Sequence, residues 1–171
     1  ELRAHLRYGW WAERRAFFRN TLNASLCDVV TGVPSDFEMA RPTEPYYHSS
    51  YVFVTRADRH LRITSFDDPA LRHLRIGVQL IGNDYMNTPP AHALSQRGLI
   101  DNVVGYTLYG DYTKPNPRAR ILSAVAQGDV DVAVVWGPLA GYFATREARA
   151  LTLTPITPGA DAKLLPLSYS I

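Results

Sequence analysis

From residue 75 onward, many hydrophobic residues of the chain fall into short, nearly continuous runs instead of alternating with polar residues. Three of these runs lie at residues 75–80, 103–109 and 132–136. Runs of this kind are typical of parallel strands that are covered on both faces. They predict an α/β fold, in which helices lie on both sides of a sheet.

Signals for helix ends separate the three runs. Thr88-Pro89 and Asn116-Pro117 each place proline directly after a capping residue, as at the start of a helix. Gly98 and Gly128 suit the C-terminal ends of the same helices. The resulting order of strand, helix, strand, helix and strand predicts a three-stranded parallel unit over residues 75–136, with right-handed crossovers.

The remaining patterns are weaker, and they predict single elements on either side of this unit. Expected strands lie at residues 2–11, 27–30, 46–55, 151–154 and 166–171. Expected helices lie at residues 12–26 and 138–148, with a short one running from Pro69 toward Leu74 after the cap Asp67-Asp68. The segment Cys27-Asp28-Val29-Val30 repeats the Asp-Val pattern of residues 129–135, which favours two halves that are built alike.

We expect these two halves to be lobes whose strand ends face one cleft. The first lobe is predicted to be partial and to comprise residues 1–55 and 157–171, and the second lobe residues 56–156. The first predicted strand follows no helix, and the last is not followed by one. The chain is therefore expected to be incomplete at both ends.

Bulk composition argues against several classes of function. The chain has 171 residues and a net charge of +2, with 46 % apolar and 20 % charged residues, which is ordinary for a globular protein. No basic run or aromatic motif indicates nucleic-acid binding, and no apolar stretch has the length of a membrane span. Cys27, the single cysteine, is either a small buried hydrophobe or half of a disulfide whose partner lies outside this chain.

Motifs for catalysis or metal binding are scarce. The sequence has no nucleophile elbow, no phosphate-binding loop and no dinucleotide fingerprint. Its five histidines are spread out, and no two have the spacing of metal ligands on a helix. We therefore expect no catalytic residue, no metal and no cofactor. An enzymatic alternative would be supported by turnover that depends on Asp84 or Asp111.

Aromatic residues accumulate instead in predicted loops next to strand ends. They are Tyr46, Tyr47, Tyr85, Tyr109, Tyr112 and Trp136. Ligands of open α/β sheets bind beyond the carboxyl ends of the strands. If these ends face one cleft, its wall is aromatic and suits an apolar or aromatic partner. The other interpretation is that half of the rings simply cover the ends of the sheet.

Several segments carry a resemblance to a known family. They are Pro45-Tyr46-Tyr47, Tyr51-Val52-Phe53-Val54, Leu74-Arg75-Ile76-Gly77-Val78-Gln79 and Gly128-Asp129-Val130-Asp131-Val132-Ala133-Val134-Val135. In order and approximate spacing they resemble the type II periplasmic solute-binding proteins of the polar-amino-acid group, solute-binding family 3. The resemblance covers most of the chain and implies a two-lobed α/β fold in the periplasm. It also implies that a partner for Cys27 would lie in a first strand that this chain lacks.

Longer motifs carry a narrower resemblance. They are Thr21-Leu22-Asn23-Ala24 with Cys27-Asp28-Val29-Val30, Gly77-Val78-Gln79-Leu80-Ile81-Gly82, Asn87-Thr88-Pro89-Pro90-Ala91-His92-Ala93-Leu94, Tyr109-Gly110-Asp111-Tyr112 and Val135-Trp136-Gly137-Pro138-Leu139-Ala140-Gly141-Tyr142-Phe143. These are similar to motifs of the J proteins of methanol dehydrogenase operons, which are quinoprotein-dehydrogenase-associated binding proteins. The resemblance implies a periplasmic partner of a pyrroloquinoline-quinone (PQQ) methanol dehydrogenase, acting in its activation or maturation.

Two departures from the family pattern bear on the ligand. Amino-acid binders carry a Thr and an Arg after the strand equivalent to Val29-Val30, and an Asp after the strand equivalent to residues 132–135. Here residues 33–38 hold no such Arg, and Trp136 stands in place of the Asp. Burying a zwitterion without both charges is costly. We therefore expect a non-catalytic accessory protein with a hydrophobic cleft. The alternative is the substrate-binding subunit of an ABC transporter for an apolar or aromatic small solute.

Overall fold

The computed structural model describes residues 4–9, 11, 16–34, 38–81, 88–107, 113, 115–157 and 168–170. The chain divides into two compact units. The smaller unit comprises Glu1–His48 and Ser168–Ile171, and the larger unit comprises Ser49–Leu167. These boundaries differ from those of the predicted lobes, which assign residues 49–55 and 157–167 to the first lobe. The arrangement of two lobes around a cleft stays a prediction.

The smaller unit contains little regular structure in its described residues. Helix α1 spans Phe17–Asn20, and the strands, numbered along the chain, are β1 (Val33–Pro34), β2 (Tyr47–His48) and β8 (Ser168–Ser170). β8 lies between β1 and β2 and pairs antiparallel with both of them. Residues 168–170, near the end of the chain, thus form the central strand of a small sheet with β1 and β2.

Three predictions for the smaller unit are wrong. Residues 4–9 have no regular secondary structure, the described part of the predicted helix 12–26 contains only α1, and residues 27–30 are not a strand. The apolar side chains that should have been buried are exposed. Leu6 and Leu26 are both 70 % exposed and Val29 is 58 % exposed. Packing of an apolar face supplies most of a helix's stability, and these residues have no such packing.

The larger unit contains five strands and three helices in its described residues. The strands are β3 (Tyr51–Arg56), β4 (Ile76–Leu80), β5 (Val103–Thr107), β6 (Val132–Trp136) and β7 (Leu151–Pro155). The helices are α2 (Pro89–Gln96), α3 (Arg120–Gln127) and α4 (Gly137–Ala144). Short 3-10 turns cover Ala57–Arg59, Pro69–His73 and Pro117–Ala119.

The five strands form one mixed sheet in the order β5-β4-β6-β3-β7. β4 pairs in parallel with both β5 and β6, which confirms the predicted parallel unit. β3 is inserted between β6 and β7 and is antiparallel to both. The single strand predicted at residues 46–55 is wrong, because this segment forms β2 and β3, which belong to two different sheets.

A hydrophobic core covers both faces of the sheet at its central strands β3, β4 and β6, whereas no residue of the edge strands β5 and β7 is buried, so the coverage expected for the run at residues 103–109 is wrong. One face packs on α2 and the turn at Pro69–His73, with the buried residues Phe53, Phe66, Leu71, Ile76, Leu94 and Val134. The other face packs on α3 and α4, with the buried residues Val54, Ile121, Leu122, Val125, Val135 and Ala140. Successive residues of β3 and β6 alternate between the two cores, so continuous apolar runs are needed.

Side-chain hydrogen bonds fix the ends of these elements. The Asp68 side chain accepts from the Ala70 N–H at 2.9 Å, which confirms the predicted cap. Thr88 lies at the N-cap of α2, but its hydroxyl donates to the Gln79 carbonyl at 2.6 Å instead of capping the helix. This bond ties the start of α2 to β4. At the amino ends of β4 and β6, the Asp131 side chain accepts hydrogen bonds from the Arg75 N–H at 2.9 Å and from the Arg59 side chain at 3.1 Å.

An ion pair between Asp67 and Arg97 leads to a prediction about acid stability. Arg97 donates from Nε and Nη2 to the two carboxylate oxygens at 2.7 and 3.1 Å, and these bonds hold the pKa of Asp67 below its ordinary value of 3.8. A lowered pKa stabilises the fold above the unfolded pKa, and this contribution is lost as the pH falls through the folded pKa. We expect Asp67→Asn to lower the melting temperature at neutral pH, and this difference to shrink below pH 3.8.

Differential scanning calorimetry between neutral and strongly acidic pH measures this effect. Asp101→Asn is the control, because Asp101 is an exposed carboxylate of the same unit that has no ion pair among the described residues. An Asp67→Asn difference that stays constant across this pH range would contradict the prediction.

Candidate functional site

The topology of the larger unit marks one place at the carboxyl ends of its parallel strands. From β4 the chain crosses to β5 on one side and then returns past β4 to β6 on the other side. In open α/β sheets the ligand crevice forms where the strand order reverses, here between the ends of β4 and β6. β6 ends in Trp136 and α4 begins at the next residue. Trp136 therefore lies at the position where sheets of this class bind ligands.

The indole of Trp136 is held by an aromatic partner on the neighbouring strand. Tyr51, the first residue of β3, lies opposite Trp136 in the antiparallel register. Their ring centroids are 5.2 Å apart, and the ring planes make an angle of 70°. An edge-to-face pair of this kind contributes about 0.5–1.5 kcal/mol beyond the area that it buries. Because both side chains are only half-buried, part of this aromatic surface remains accessible in the described unit.

A backbone hydrogen bond fixes the position of Trp136 further. The Gly137 N–H donates to the Ser50 carbonyl at 2.8 Å. A Cβ atom on residue 137 would lie only 2.7 Å from the same carbonyl oxygen, so a glycine is required for this approach. The chain enters the larger unit at Ser49, directly beside this contact. Trp136 is thus held between the start of β3 and the start of α4.

The other predicted site residues fall in different places. Tyr46 and Tyr47 belong to the smaller unit, where their ring centroids are 4.9 Å apart. Tyr46 is 52 % exposed, whereas Tyr47 is half-buried. Burial, and to a lesser extent the neighbouring Tyr46, raise the pKa of the Tyr47 hydroxyl, so it stays protonated at neutral pH. Tyr85, Tyr109 and Tyr112, like the acidic residues Asp84 and Asp111, lie outside the described residues.

Tyr51 is the site residue that sequence reasoning missed. It was part of a predicted strand, but its contact with Trp136 depends on the antiparallel pairing of β3 with β6. Two strands so far apart in the chain give no local signal for that pairing. The aromatic residue at the start of β3 is the one feature of the sequence that could have drawn attention to it.

Other kinds of site receive no support from the described residues. In these ranges no group of three or more His, Cys, Asp or Glu side chains is arranged to hold a metal ion. Cys27 is a partly buried free thiol. Among the helices of the same ranges, none combines the length and the hydropathy that crossing a bilayer requires.

Comparison with known proteins identifies the class of this fold. No protein-family model matches the chain. The structure is similar to that of the periplasmic binding protein XoxJ from Methylobacterium extorquens AM1, with a TM-score of 0.71 and 28 % identity, covering 99 % of this chain and 69 % of that one. MxaJ from Methlophaga aminisulfidivorans MPT has the same fold, with a TM-score of 0.65 and 22 % identity over 91 % of this chain and 68 % of that one. The fold is therefore that of a periplasmic binding protein, which confirms the predicted class.

Two curated relatives share a more extensive sequence similarity with the chain. The chain is 32 % identical to Protein MoxJ of Methylorubrum extorquens over 93 % of its own length, and 30 % identical to Protein MoxJ of Paracoccus denitrificans over 89 %. It spans 55 % and 57 % of the length of these two relatives. The chain is thus similar to MoxJ, XoxJ and MxaJ proteins over most of its own length, which agrees with the resemblance that the sequence motifs carry.

Proposed function

We propose that this protein is a non-catalytic accessory protein of the periplasm that binds a PQQ-dependent methanol dehydrogenase and assists its activation or maturation. The proposed partner is supported by the similarity of the chain to MoxJ and XoxJ and by the resemblance of its motifs to the J proteins of methanol dehydrogenase operons. In this proposal PQQ belongs to the dehydrogenase, and the accessory protein carries no cofactor of its own.

The observation that carries the proposal is the aromatic pair of Trp136 and Tyr51 at the carboxyl end of β6. Amino-acid binders of the wider family place an Asp where Trp136 stands. An indole cannot replace the carboxylate that pairs with an ammonium group, whereas it suits an apolar side chain of a protein partner. Tryptophan is also among the residues that contribute most to the affinity of protein–protein interfaces.

Capture of the PQQ-free dehydrogenase tests this proposal. The full chain is immobilised, binding of the apoenzyme is measured by surface plasmon resonance, and cofactor loading is followed after PQQ is added. We expect capture and faster loading, and we expect Trp136→Ala to weaken capture at least tenfold, because a buried aromatic residue at an interface is worth about 2 kcal/mol or more.

Trp11→Ala is the control for this experiment. It is the same substitution at an indole that is 40 % exposed in the smaller unit, and we expect it to bind like the wild type. If the wild type neither captures the apoenzyme nor changes cofactor loading, the proposed function is wrong. Capture that is unaffected by Trp136→Ala would remove Trp136 from the interface.

A second candidate function is the substrate-binding subunit of an ABC transporter for an apolar or aromatic solute. The same aromatic pair favours it, because the edge-to-face rings also suit a small apolar ligand. A ligand at 100 times its dissociation constant adds about 2.7 kcal/mol to the free energy of unfolding. A thermal-shift screen of aromatic and aliphatic solutes therefore separates the two functions, since only the transport protein is expected to give a clear hit.

A further inference from the structure

A second concave site lies in the larger unit, in a cavity lined by residues other than Trp136 and Tyr51. It has a volume of about 580 Å³ and lies beside α3, the segment before it and the end of α4. Cavities of roughly 300–1,000 Å³ are typical of small-molecule sites. The small side chains of Ala119, at the end of the turn before α3, and of Ser123 and Ala124 in α3 line it and leave this space open.

Charged side chains of both signs line this cavity without pairing with one another. They are Arg120, Asp129, Arg146 and Glu147. Among the described residues none of these four groups forms an ion pair within 4.0 Å, although other arginines of the same unit do so. The cavity is therefore lined by two guanidinium groups and two carboxylates that form no ion pair within the described part of the chain.

Local contacts hold two of these charges in place. The Ser123 hydroxyl donates to one carboxylate oxygen of Glu147 at 2.7 Å. Arg146 donates to the Tyr142 carbonyl at 2.6 Å, and its guanidinium carbon lies 3.6 Å from the centre of the Tyr142 ring. Restrained side chains lose less conformational entropy when they bind, so both groups are suited to a ligand.

Two aromatic rings complete the lining. The Tyr106 ring lies over Gly77, where an added Cβ would be 3.4 Å from Cε2 of the tyrosine. Burial, and next the charge of Asp129, raise the pKa of Tyr106, so its hydroxyl remains a hydrogen-bond donor at neutral pH. Phe143 is partly buried and belongs to the core beneath α4. The two rings add an apolar contact to the lining of the cavity.

We propose that this cavity binds a short zwitterionic peptide, whose carboxylate pairs with Arg120 and whose ammonium group pairs with Asp129. An anion alone would meet two unneutralised carboxylates, and a cation alone would meet two guanidinium groups. A ligand with both charges meets an opposite charge at each of its ends, and an apolar side chain in the peptide contacts Tyr106 and Phe143. This site is separate from the proposed dehydrogenase-binding residues, and its existence does not depend on that function.

Isothermal titration calorimetry of the full chain tests the site with the tripeptide Gly-Leu-Gly. We expect saturable binding of one peptide, weakened by added salt, and at least tenfold weaker binding by Arg120→Gln and by Asp129→Asn. The matched controls are Arg72→Gln and Asp101→Asn, which change exposed charges of the same unit outside the cavity. Circular dichroism checks that all four variants are folded.

Two further ligands define the chemistry. The N-acetylated, C-amidated tripeptide lacks both charges and is expected not to bind. Free leucine carries the same two charges in a single amino acid and shows whether a peptide is needed. Leucine binding that is lost in Arg120→Gln and Asp129→Asn would still support the site. The proposal is overturned if neither charged ligand binds, if the uncharged peptide binds equally well, or if the two cavity variants bind like their controls.

Discussion

Replacing Phe53 by alanine is expected to lower the free energy of unfolding of the larger unit by about 3–5 kcal/mol. Phe53 lies in the middle of β3 and is 1 % exposed. Its ring packs edge-to-face on Phe66, with centroids 5.3 Å apart. Truncation removes the buried ring and leaves a cavity between β3 and the turn at Pro69–His73, which the surrounding strands cannot fill without breaking their register. A loss of this size is a large fraction of the stability of an ordinary domain.

Urea denaturation followed by far-ultraviolet circular dichroism measures this loss as a shift of the unfolding midpoint. Ile100→Ala is the control, because Ile100 is 62 % exposed and its truncation is expected to change stability by no more than about 0.5 kcal/mol. Similar losses for Phe53→Ala and Ile100→Ala would mean that Phe53 does not occupy the core position described above.

Two glycines of α4 are expected to respond to alanine with opposite signs. A Cβ at residue 137 would lie 2.7 Å from the Ser50 carbonyl oxygen, so Gly137→Ala should break the backbone hydrogen bond or displace β3, at a cost of about 1–3 kcal/mol. A Cβ at residue 141 would have nothing within 4 Å. Gly141→Ala should therefore stabilise the protein by about 0.5–1 kcal/mol, because alanine loses less backbone entropy in a helix.

Comparing the two variants separates the effect of the close contact between Gly137 and Ser50 from the effect of helix propensity. Both changes add one methyl group to the same helix, and the unfolding midpoints of the two proteins are compared under identical conditions. Stabilisation by both substitutions would contradict the close approach of Gly137 to Ser50. We also expect Gly137→Ala to weaken dehydrogenase capture, since it displaces the residue next to Trp136.

The parallel unit could be predicted because its signals are local. Each of β4, β5 and β6 is marked by its own apolar residues, and Gly128 ends α3 with the positive φ of 87° that glycine tolerates best. Proline marks the first turn of α2 and of α4. None of these signals depends on residues far away in the chain, so the pattern alone was sufficient.

The smaller unit and the contact of Tyr51 with Trp136 could not be predicted, because both depend on residues that are far apart in the chain. Leu6 and Val29 look like strand residues, but in the described structure their side chains are exposed. β1 and β2 are stabilised by pairing with β8, which comes more than a hundred residues later in the chain. The position of Trp136 followed from its own strand, whereas its contact with Tyr51 needed the long-range pairing of β3 and β6.

During synthesis, β3 leaves the ribosome before either of its neighbours in the sheet has been made. Its buried residues Val52–Thr55 find their hydrogen-bonding partners only when β6 and β7, which ends at Pro155, have followed. The nascent chain therefore carries an apolar strand with two unpaired edges, a state that favours aggregation. A chaperone that shields this segment until translation has passed Pro155 would be expected to raise the yield of folded protein.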